Sequence, residues 1–447
     1  MGNFINVFTV HSITVGIIPQ LLANASKFFL VTGDSVGYND GQKDGDEMII
    51  GIIGGGASGM AAALAAAENP HTQVLLFERQ ARLGRKLQAT GNGRCNLSNM
   101  HAGHNGYHGQ EADFIRSAMT RFDPGETLSW FRSMGLFTVT EPSGRVYPYS
   151  DQANSVVDVL RFALEKPNIQ VLTGTEVSKL RREGAGFRVD GTYCDRVIVA
   201  CGGLAGSKLG GSMSGYQLLR SMGHRMTKLR PALVQLRSGW NGVAALKGVR
   251  ANCHAAIYHN GSLHSQSTGE IQFTEYGLSG PVIFEISRDA CQGTGEWLCR
   301  LDLLPEVTSE ELYRELSRRR QTALPAQELL TGILHNRLGR VVAKAAGLSL
   351  NGLVSQLTDP ELQSVCTAVK FFVVPLTEPL GMDSAQVTAG GILTHDFDPT
   401  TMESKLVPGL YACGEVLDVD GDCGGYNLQW AWSSGRCAGS HAGKEAE

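Results

Sequence analysis

The stretch Met48-Ile-Ile-Gly-Ile-Ile-Gly-Gly-Gly-Ala-Ser-Gly59 decides the fold of this chain. Its apolar half predicts a short buried strand, and the alanine-rich residues 60–68 predict a helix. A second apolar run, Val74-Leu-Leu-Phe-Glu78, predicts another strand that ends in an acidic residue. Strand, glycine turn, helix and strand in this order indicate a dinucleotide-binding fold rather than an ordinary glycine-rich turn.

The three glycines of the turn have separate roles in such a fold. Gly54 permits the tight turn, Gly56 lets the backbone approach a pyrophosphate, and Gly59 lets the helix pack closely on the strand. The free N–H groups and the positive dipole end of the helix favour phosphate. Glu78 lies nineteen positions after Gly59, where an acid can accept hydrogen bonds from ribose hydroxyls. The segment predicts a dinucleotide site and leaves open which dinucleotide binds.

Composition limits the class of protein. The 447 residues exceed one ordinary core, so two or three domains are expected. The formal net charge is −4 and 18% of residues are charged, which argues against nucleic acid as the main partner. The ten cysteines include no C-x-x-C pair, so we predict no metal site and no dithiol motif. They are typical of free thiols in a reducing cytoplasm.

Residues 1–47 do not share this pattern. Polar residues and Pro19 interrupt their apolar part, and no basic segment precedes it, so neither a membrane span nor a secretory signal is predicted. Residues 33–47 are polar and rich in glycine and aspartate, as in a flexible linker. We expect a disordered or artefactual extension here, with the functional protein beginning at Met48. A weak membrane-surface anchor is the alternative.

A second glycine-rich segment, near the end of the chain, identifies the nucleotide. Val407-Pro-Gly-Leu-Tyr-Ala-Cys-Gly-Glu415 has the form of the distal FAD motif, in which a strand ends in glycine and an acid, here Gly414 and Glu415. Gly424-Gly-Tyr-Asn-Leu-Gln429 then predicts the start of a helix, whose positive end stabilises negative charge on a reduced flavin. Together with the first glycine turn, these features favour FAD over NAD.

A third cluster, Lys86-Leu-Gln-Ala-Thr-Gly-Asn-Gly-Arg-Cys-Asn96, lies between these two motifs. Gly91 and Gly93 allow the backbone to approach a ligand closely, while the basic side chains here and at Arg85 bring positive charge to phosphates. A solvated basic loop is the alternative interpretation. The thiol of Cys95 is expected to be inert packing.

The remaining pattern predicts an α/β fold, namely a discontinuous Rossmann-like FAD-binding domain with an inserted β-barrel-like domain and a small helical subdomain. Short alternating runs around the hairpin signal Asn260-Gly261 indicate the barrel, and a capping box at Thr308 indicates the helices. Asp359-Pro360 predicts a further helix with Asp359 as its cap. The predicted boundaries are 48–225 and 386–447 for the FAD-binding domain, 226–305 and 370–385 for the barrel, and 306–369 for the helices.

Five segments together resemble one bacterial family, the three-domain NAD(P)/FAD-dependent oxidoreductases that include BaiN-like and aminoacetone-oxidase-like flavoproteins. They are Gly54–Gly59, Thr90–Asn96, Phe273–Pro281, Thr401–Lys405 and Val407–Gly439. The resemblance spans about residues 48–439 and implies the same arrangement of domains. Two departures stand out. Many relatives carry Thr-Gly-Asp-Gly-Tyr where this chain has Ser212-Met-Ser-Gly-Tyr216, and many carry Thr-His where it has Thr274-Glu275.

The resemblance also implies contacts to the cofactor, position by position. Ala57 and Ser58 would meet the pyrophosphate, Glu78 the adenosine ribose, and the backbone of Val177 the adenine. The middle of the cofactor would be met by Arg85, Lys86, Gly91, Arg94 and Asn96, and the ribitol and flavin by Glu415, Asn427 and Leu428.

No residue is identified as a catalytic acid or base. Tyr276, Glu275, His395 and Tyr426 lie in or beside motifs expected to line the cleft, where each is more often a hydrogen-bonding side chain than a proton donor. The helix after the first FAD loop lacks the redox-active cysteine pair of flavin disulfide reductases, since only Cys95 lies nearby. No second Gly-x-Gly-x-x-Gly domain is found between residues 203 and 386. We therefore expect electrons to pass directly between flavin and a small molecule, with NAD(P)H docking without its own Rossmann domain or oxygen serving as acceptor.

The function predicted from the sequence is that of an FAD-dependent oxidoreductase. It would transfer a hydride between flavin N5 and a small organic molecule, as an enone reductase or as an amine or aminoketone oxidase. The alternative is a flavin-binding protein whose FAD is structural or sensing and turns over no small molecule. We expect a cytoplasmic protein with no nucleic acid partner.

Overall fold

The computed structural model describes residues 47–103, 105–288 and 290–444. The prediction of a disordered or artefactual extension therefore lies, apart from Glu47, outside the described residues. Within the described part of the chain, no helix is both long enough and apolar enough to cross a membrane. The predicted cytoplasmic location stays a prediction.

The described chain contains many short strands, several of only two or three residues. In chain order they are β1 (Met48–Ile53), β2 (Thr72–Glu78), β3 (Ser98–Asn99), β4 (Tyr107–His108), β5 (Thr138–Thr140), β6 (Arg145–Pro148), β7 (Ile169–Thr173), β8 (Leu180–Glu183), β9 (Gly186–Val189), β10 (Thr192–Cys194), β11 (Arg196–Val199), β12 (Arg230–Ala232), β13 (Leu236–Ser238), β14 (Arg250–His259), β15 (Ser262–Phe273), β16 (Gly277–Ser279), β17 (Trp297–Asp302), β18 (Phe372–Pro379), β19 (Val387–Ala389), β20 (Leu410–Ala412) and β21 (Asp420–Gly421).

The α-helices of the same residues lie between these strands. They are α1 (Ala57–Ala66), α2 (Arg85–Ala89), α3 (Arg116–Arg121), α4 (Pro124–Ser133), α5 (Ala153–Ala163), α6 (Ser214–Ser221), α7 (Pro281–Ile286), α8 (Ser309–Arg319), α9 (Asn336–Ala345), α10 (Asp359–Lys370) and α11 (Tyr426–Ala442).

A parallel sheet of five strands, in the order β20-β11-β1-β2-β7, forms the centre of the Rossmann-like part. Its central strands β1 and β11 are almost wholly apolar and buried, as expected for a parallel sheet that is covered on both faces, while the edge strand β7 is more exposed. The edge strand β20 comes from the last forty residues of the chain, so the domain is built from both ends of the sequence. The predicted fold class is confirmed.

Helices α1 and α11 pack against each other through a stripe of small residues. A Cβ on Gly435 would lie 2.4 Å from the Ser58 carbonyl oxygen, and one on Gly439 would lie 2.2 Å from that of Ala62. Both helices use positions four residues apart, which share one helix face. The pairs advance in the same direction along both helices, so α1 and α11 run parallel with their backbones in close contact.

The second part is a closed barrel with the strand order β13-β16-β15-β14-β17-β18, and all of its pairings are antiparallel. The hairpin signal at Asn260-Gly261 is confirmed, since these residues join β14 to β15. Helices α8, α9 and α10 are inserted between β17 and β18 and share one hydrophobic core with the barrel. The exact domain boundaries stay a prediction.

Two of the inserted helices begin with a capping box. On α8 the Thr308 hydroxyl accepts from the Glu311 N–H and the Glu311 carboxylate accepts from the Thr308 N–H, as predicted. The prediction that Asp359 caps α10 is wrong, because Thr358 is the cap and pairs reciprocally with Glu361. Asp359 and Pro360 instead occupy the first turn of the helix. Backbone N–H groups there have no partner within the helix, so the N–H that proline lacks is not missed.

Candidate active site

The glycine turn between β1 and α1 lies at the carboxyl edge of the parallel sheet. Gly54 has a φ of +114°, and a Cβ there would lie 2.4 Å from the Ala200 carbonyl oxygen. A Cβ on Gly59 would lie 1.8 Å from the carbonyl oxygen of Gly54, so only glycine fits at both positions. A Cβ on Gly56 would meet nothing within 4 Å, so the surface is open there.

Helix α1 begins directly after that open position and has no side-chain cap. The first N–H groups of a helix have no partner within the helix. Those at Ala57 and Ser58 are therefore placed to bind an anion beside Gly56.

Glu78 lies at the end of β2 and is held against the same turn. Its carboxylate accepts hydrogen bonds from the Gly55 N–H and the Gln80 N–H, each 2.7 Å long. The segment after β7 is tied to this point, because the Thr175 N–H donates to the Glu78 carbonyl oxygen over 2.9 Å. Val177 is the buried end of that segment. Both predicted adenosine contacts thus lie at one edge of the sheet.

Lys86 and Glu415 connect the third cluster to the distal motif. The Lys86 Nζ lies 2.8 Å from Glu415 Oε2, and Glu415 Oε1 accepts a hydrogen bond of 2.9 Å from the Thr388 N–H. Gly414, just before Glu415, has a φ of +76°, and a Cβ there would lie 2.5 Å from the Ser58 hydroxyl oxygen. The distal motif therefore packs directly on the start of α1, and Lys86 balances the charge of Glu415.

The two arginines of the third cluster also have partners in the protein. Arg85 donates to the Gln80 amide oxygen over 2.8 Å. Arg94 stacks over the ring of Tyr147, 4.1 Å from the ring centroid, and forms ion pairs with Asp151 and Glu141. Gly91 has the left-handed φ of +57° that the loop requires. The cluster is a structured loop whose charges are largely neutralised.

Asn96 has a polar atom without a partner. Its side-chain oxygen is buried and has no hydrogen bond in the described structure. It lies close to the start of α11, since a Cβ on Gly425 would be 3.0 Å from it. Helix α11 follows Gly425 and has no side-chain cap. A buried, unsatisfied oxygen beside an uncapped helix fits a site that a polar ligand completes.

Asn427 and Leu428 form the first turn of this helix. The Asn427 amide accepts from the Gly421 N–H over 2.8 Å and donates to the Gly421 carbonyl over 2.7 Å. Its side chain therefore holds the preceding loop, and what it can offer a ligand is its backbone N–H. Leu428 is half-buried beside it.

The parallel packing of α1 and α11 fixes the relation of the two uncapped ends. Because Ser58 packs on Gly435, the start of α11 extends beyond the start of α1 by about eight residues, or roughly 12 Å at the rise of an α-helix. Both positive ends point the same way. An extended ligand with an anionic group at one end and an electron-rich ring at the other would fit this spacing.

Four polar side chains near the start of α11 were not predicted. Arg145 Nη2 lies 3.6 Å from Glu285 Oε1, which joins β6 to the barrel helix α7. His108 Nε2 lies 2.7 Å from Asp422 Oδ1. Asp422 could have been noticed, because it lies two residues before Gly424 of the glycine pair that precedes α11, but the other three lie outside every motif.

The structure separates the four cleft candidates named from the sequence. Glu275 is exposed and pairs with Lys247, and His395 is exposed and pairs with Glu111. Tyr276 lies beside Arg237, whose guanidinium is 5.7 Å from the ring centroid. Tyr426 is the first residue of α11 and lies at the candidate site.

The described residues hold no disulfide and no group of three or more side chains that could bind a metal ion. Cys95 is fully buried, and burial raises the pKa of its thiol to about 12. A protonated, inaccessible thiol is a poor nucleophile, which agrees with a packing role.

The family described as HI0933-like protein Rossmann domain matches residues 48–441. The chain belongs to this family. It is 41% identical over 403 residues to 3-dehydro-bile acid delta(4,6)-reductase of Clostridium scindens, a match that covers 88% of this chain and 98% of that protein. It is 32% identical to ribosomal RNA dihydrouridine synthase of Escherichia coli and 30% identical to that of Haemophilus influenzae, each covering 86% of this chain and 95% of the relative.

Membership of the HI0933-like family confirms the family predicted from the sequence and, with it, the oxidoreductase class of enzyme. The match begins at Met48, where the first strand of the Rossmann-like sheet begins.

Proposed function

We propose that this chain is an FAD-dependent enone reductase, which transfers a hydride from flavin to a small conjugated ketone. One observation carries the proposal. Two uncapped helix starts, on parallel helices in backbone contact, are offset by roughly 12 Å, which leaves room for the part of FAD between its pyrophosphate and its flavin ring, and the buried Asn96 oxygen lies beside the second. The relative with 41% identity is named for the reduction of a 3-dehydro bile acid, which favours the reductase over the amine oxidase.

In this proposal different residues at the sheet edge bind different parts of the cofactor. The pyrophosphate binds to the N–H groups at the start of α1, over the open surface of Gly56. Glu78 binds the adenosine ribose, and the backbone at Val177 meets the adenine. FAD bound in this way supplies a carrier of two electrons at its N5 atom.

The distal residues hold the other half of the cofactor. Glu415, kept in place by Lys86 and the Thr388 N–H, faces the ribitol. The buried side-chain oxygen of Asn96 would accept a hydrogen bond from the cofactor. The backbone N–H groups of Asn427 and Leu428 would contact the flavin ring. The positive end of α11 favours the reduced ring because negative charge develops there. Arg85, Arg94 and Gly91 shape the loop between the two halves.

A large RNA substrate, suggested by the names of two relatives, is less well supported. Residues 306–369, the inserted helices, contain seven basic and seven acidic residues. The three consecutive arginines of this segment form salt bridges with nearby carboxylates: Arg318 and Arg319 pair with Glu315, and Arg320 pairs with Asp359. Nucleic acid binding requires a basic surface, and these balanced charges do not provide one.

The proposal is tested by anaerobic flavin reduction. Purified protein is expected to release FAD on denaturation, and its flavin should be bleached by NADH or NADPH. A steroidal 4-en-3-one or 4,6-dien-3-one should reoxidise it faster than air does. Rapid peroxide formation in air without an organic acceptor would favour an oxidase. A colourless protein that takes up no FAD would exclude a flavoenzyme.

A further inference from the structure

A row of three side chains leads from solvent to the start of α11. The His108 Nε2 lies 2.7 Å from Asp422 Oδ1, and both side chains are partly exposed. Asp422 Oδ2 and the Tyr426 ring lie on the same side of Gly106, since a Cβ there would be 2.9 Å from Asp422 Oδ2 and 2.7 Å from Tyr426 Cε1, which places the two side chains within about 6 Å of each other. None of the three is needed to hold the cofactor in the proposed function.

We propose that Tyr426 donates the proton that completes the reduction, and that Asp422 and His108 return a proton to it from solvent. This inference rests on the proposed function, because the hydride transfer that precedes proton donation belongs to that reaction.

The backbone and ring of Tyr426 are held in place from two sides. The Tyr107 hydroxyl donates a hydrogen bond of 2.9 Å to the Tyr426 carbonyl oxygen, and the two rings meet edge to face with centroids 5.6 Å apart. A Cβ on Gly421 would lie 2.7 Å from the Tyr426 Cβ, so the chain packs tightly behind it. A fixed phenol at the first turn of α11 is suited to meet a substrate stacked on the flavin.

The surroundings of Tyr426 favour the protonated form of its phenol. Burial raises the pKa of Tyr426 above its usual value, and the carboxylates of Asp422 and of Glu285 on α7 raise it further. Arg145 on β6 faces the same space but is paired with Glu285, and His108 on β4 is paired with Asp422. The phenol is therefore protonated at neutral pH, which is the form a general acid needs.

The neighbouring groups are less suited to this role. The Tyr107 hydroxyl is committed to the Tyr426 carbonyl. Burial raises the pKa of the Cys423 thiol to about 11, and a thiol has no comparable link to solvent in this cluster. His108 and Asp422 are both partly exposed to solvent, so they are suited to return a proton to Tyr426 and not to protonate the substrate themselves.

Atoms and electrons balance in this reaction. A hydride added at the β-carbon of the enone breaks the carbon–carbon π bond, and the electron pair moves to the α-carbon and carbonyl oxygen as an enolate. The O–H bond of Tyr426 then breaks, its proton forms the new bond to the enolate, and a tyrosinate remains. The tyrosinate takes a proton from water through Asp422 and His108. The two electrons come from NAD(P)H by way of FAD, and the product is the saturated ketone.

The first test separates the two halves of the reaction in Tyr426→Phe. FAD content and the rate of flavin bleaching by NAD(P)H are expected to stay within about threefold of wild type, while reoxidation by the enone falls by about 100-fold or more. Tyr149→Phe, at an exposed tyrosine, is the matched control and should behave as wild type. If Tyr426→Phe is reoxidised by the enone at the wild-type rate, Tyr426 is not the donor, although the proposed function stands. If no enone reoxidises even the wild type, the proposed function and this role both fail.

The second test needs no turnover. In protein labelled with ¹³C at the tyrosine ring, the signal lost in Tyr426→Phe reports the titration of Tyr426. Asp422→Asn removes one of the charges that face the phenol and is expected to lower its pKa. Asp158→Asn, at an exposed aspartate on α5, is the control and should not. A Tyr426 titration that is unchanged in Asp422→Asn would overturn the relay.

Discussion

Gly56 and Gly59 are three residues apart in one motif, yet a side chain at each would meet very different surroundings. At Gly59 a Cβ would collide with the Gly54 carbonyl oxygen at 1.8 Å, which is backbone and cannot move aside. At Gly56 a Cβ would find open space, and the φ of −82° is one that any residue adopts. Gly59 is therefore required by the fold, whereas Gly56 is required only if a ligand occupies that space.

We expect Gly56→Ala and Gly59→Ala to separate folding from cofactor binding. Gly56→Ala should keep the melting temperature of the apoprotein and weaken FAD binding by about tenfold or more, which corresponds to about 1.4 kcal/mol. Gly59→Ala should lower the free energy of unfolding by about 1–3 kcal/mol, since it overpacks a tight contact. Thermal unfolding of the apoprotein and titration of flavin fluorescence measure the two effects.

Gly381→Ala is the control for these variants, because Gly381 is exposed, has an ordinary φ, and a methyl group added there would meet nothing within 4 Å. It should change neither quantity. If Gly56→Ala binds FAD as tightly as wild type does, the pyrophosphate does not lie over Gly56.

Elements with a dense local pattern could be predicted from the sequence. The β1–α1–β2 unit and the start of α11 follow from glycine spacing and apolar runs, and the capping box of α8 from two residues three apart. The cap of α10 was misassigned because Asp359 before a proline resembles a cap, while the reciprocal pair of Thr358 and Glu361 competes better for the same N–H groups.

The cluster at the start of α11 could not be predicted in the same way. His108 comes from β4, Arg145 from β6 and Glu285 from α7, elements that are far apart in the chain. Only the packing of the barrel on the Rossmann-like part brings Glu285 to Arg145. No local spacing encodes such a meeting, so the polar side chains nearest the proposed substrate are the ones that sequence reasoning missed.

The contact of α1 with α11 links the two ends of the cofactor site, and we expect Gly439→Ala to disturb both. The added methyl group would lie 2.2 Å from the Ala62 carbonyl oxygen, so the helices must separate. Stability should fall by about 1–3 kcal/mol, and FAD affinity should fall as well because the two uncapped helix starts lose their relative position. Chemical unfolding and flavin titration measure these effects.

Ser440→Ala, on the next residue of the same helix but less buried, should leave both nearly unchanged. Loss of stability in Gly439→Ala with full FAD affinity would show that the spacing of the helix starts is not what holds the cofactor.

Two ion pairs that differ in burial join the barrel, at α7, to β6 and β21 of the Rossmann-like part, which lie outside its parallel sheet. Glu285 meets Arg145 over 3.6 Å, with both side chains partly exposed. Arg288, just after α7, donates hydrogen bonds of 2.6 Å and 2.9 Å to the carboxylate of Asp420 on β21. The Asp420 side chain is only 1% exposed. The loop from β21 leads directly to α11. The barrel therefore helps to fix the helix start at which the flavin and Tyr426 are proposed to lie.

Breaking the buried pair should be far more costly than breaking a surface pair. Arg288→Met leaves the Asp420 carboxylate buried without its strongest partner, so the free energy of unfolding is expected to fall by about 3–5 kcal/mol. Arg237→Met removes an exposed pair with Glu378 and should cost less than about 1 kcal/mol. The double variant Arg288→Met with Asp420→Leu should regain part of the loss, because no charge is then left buried. Urea unfolding of all three variants decides the question, and equal losses in Arg288→Met and Arg237→Met would mean that this contact does not hold the barrel on the Rossmann-like part.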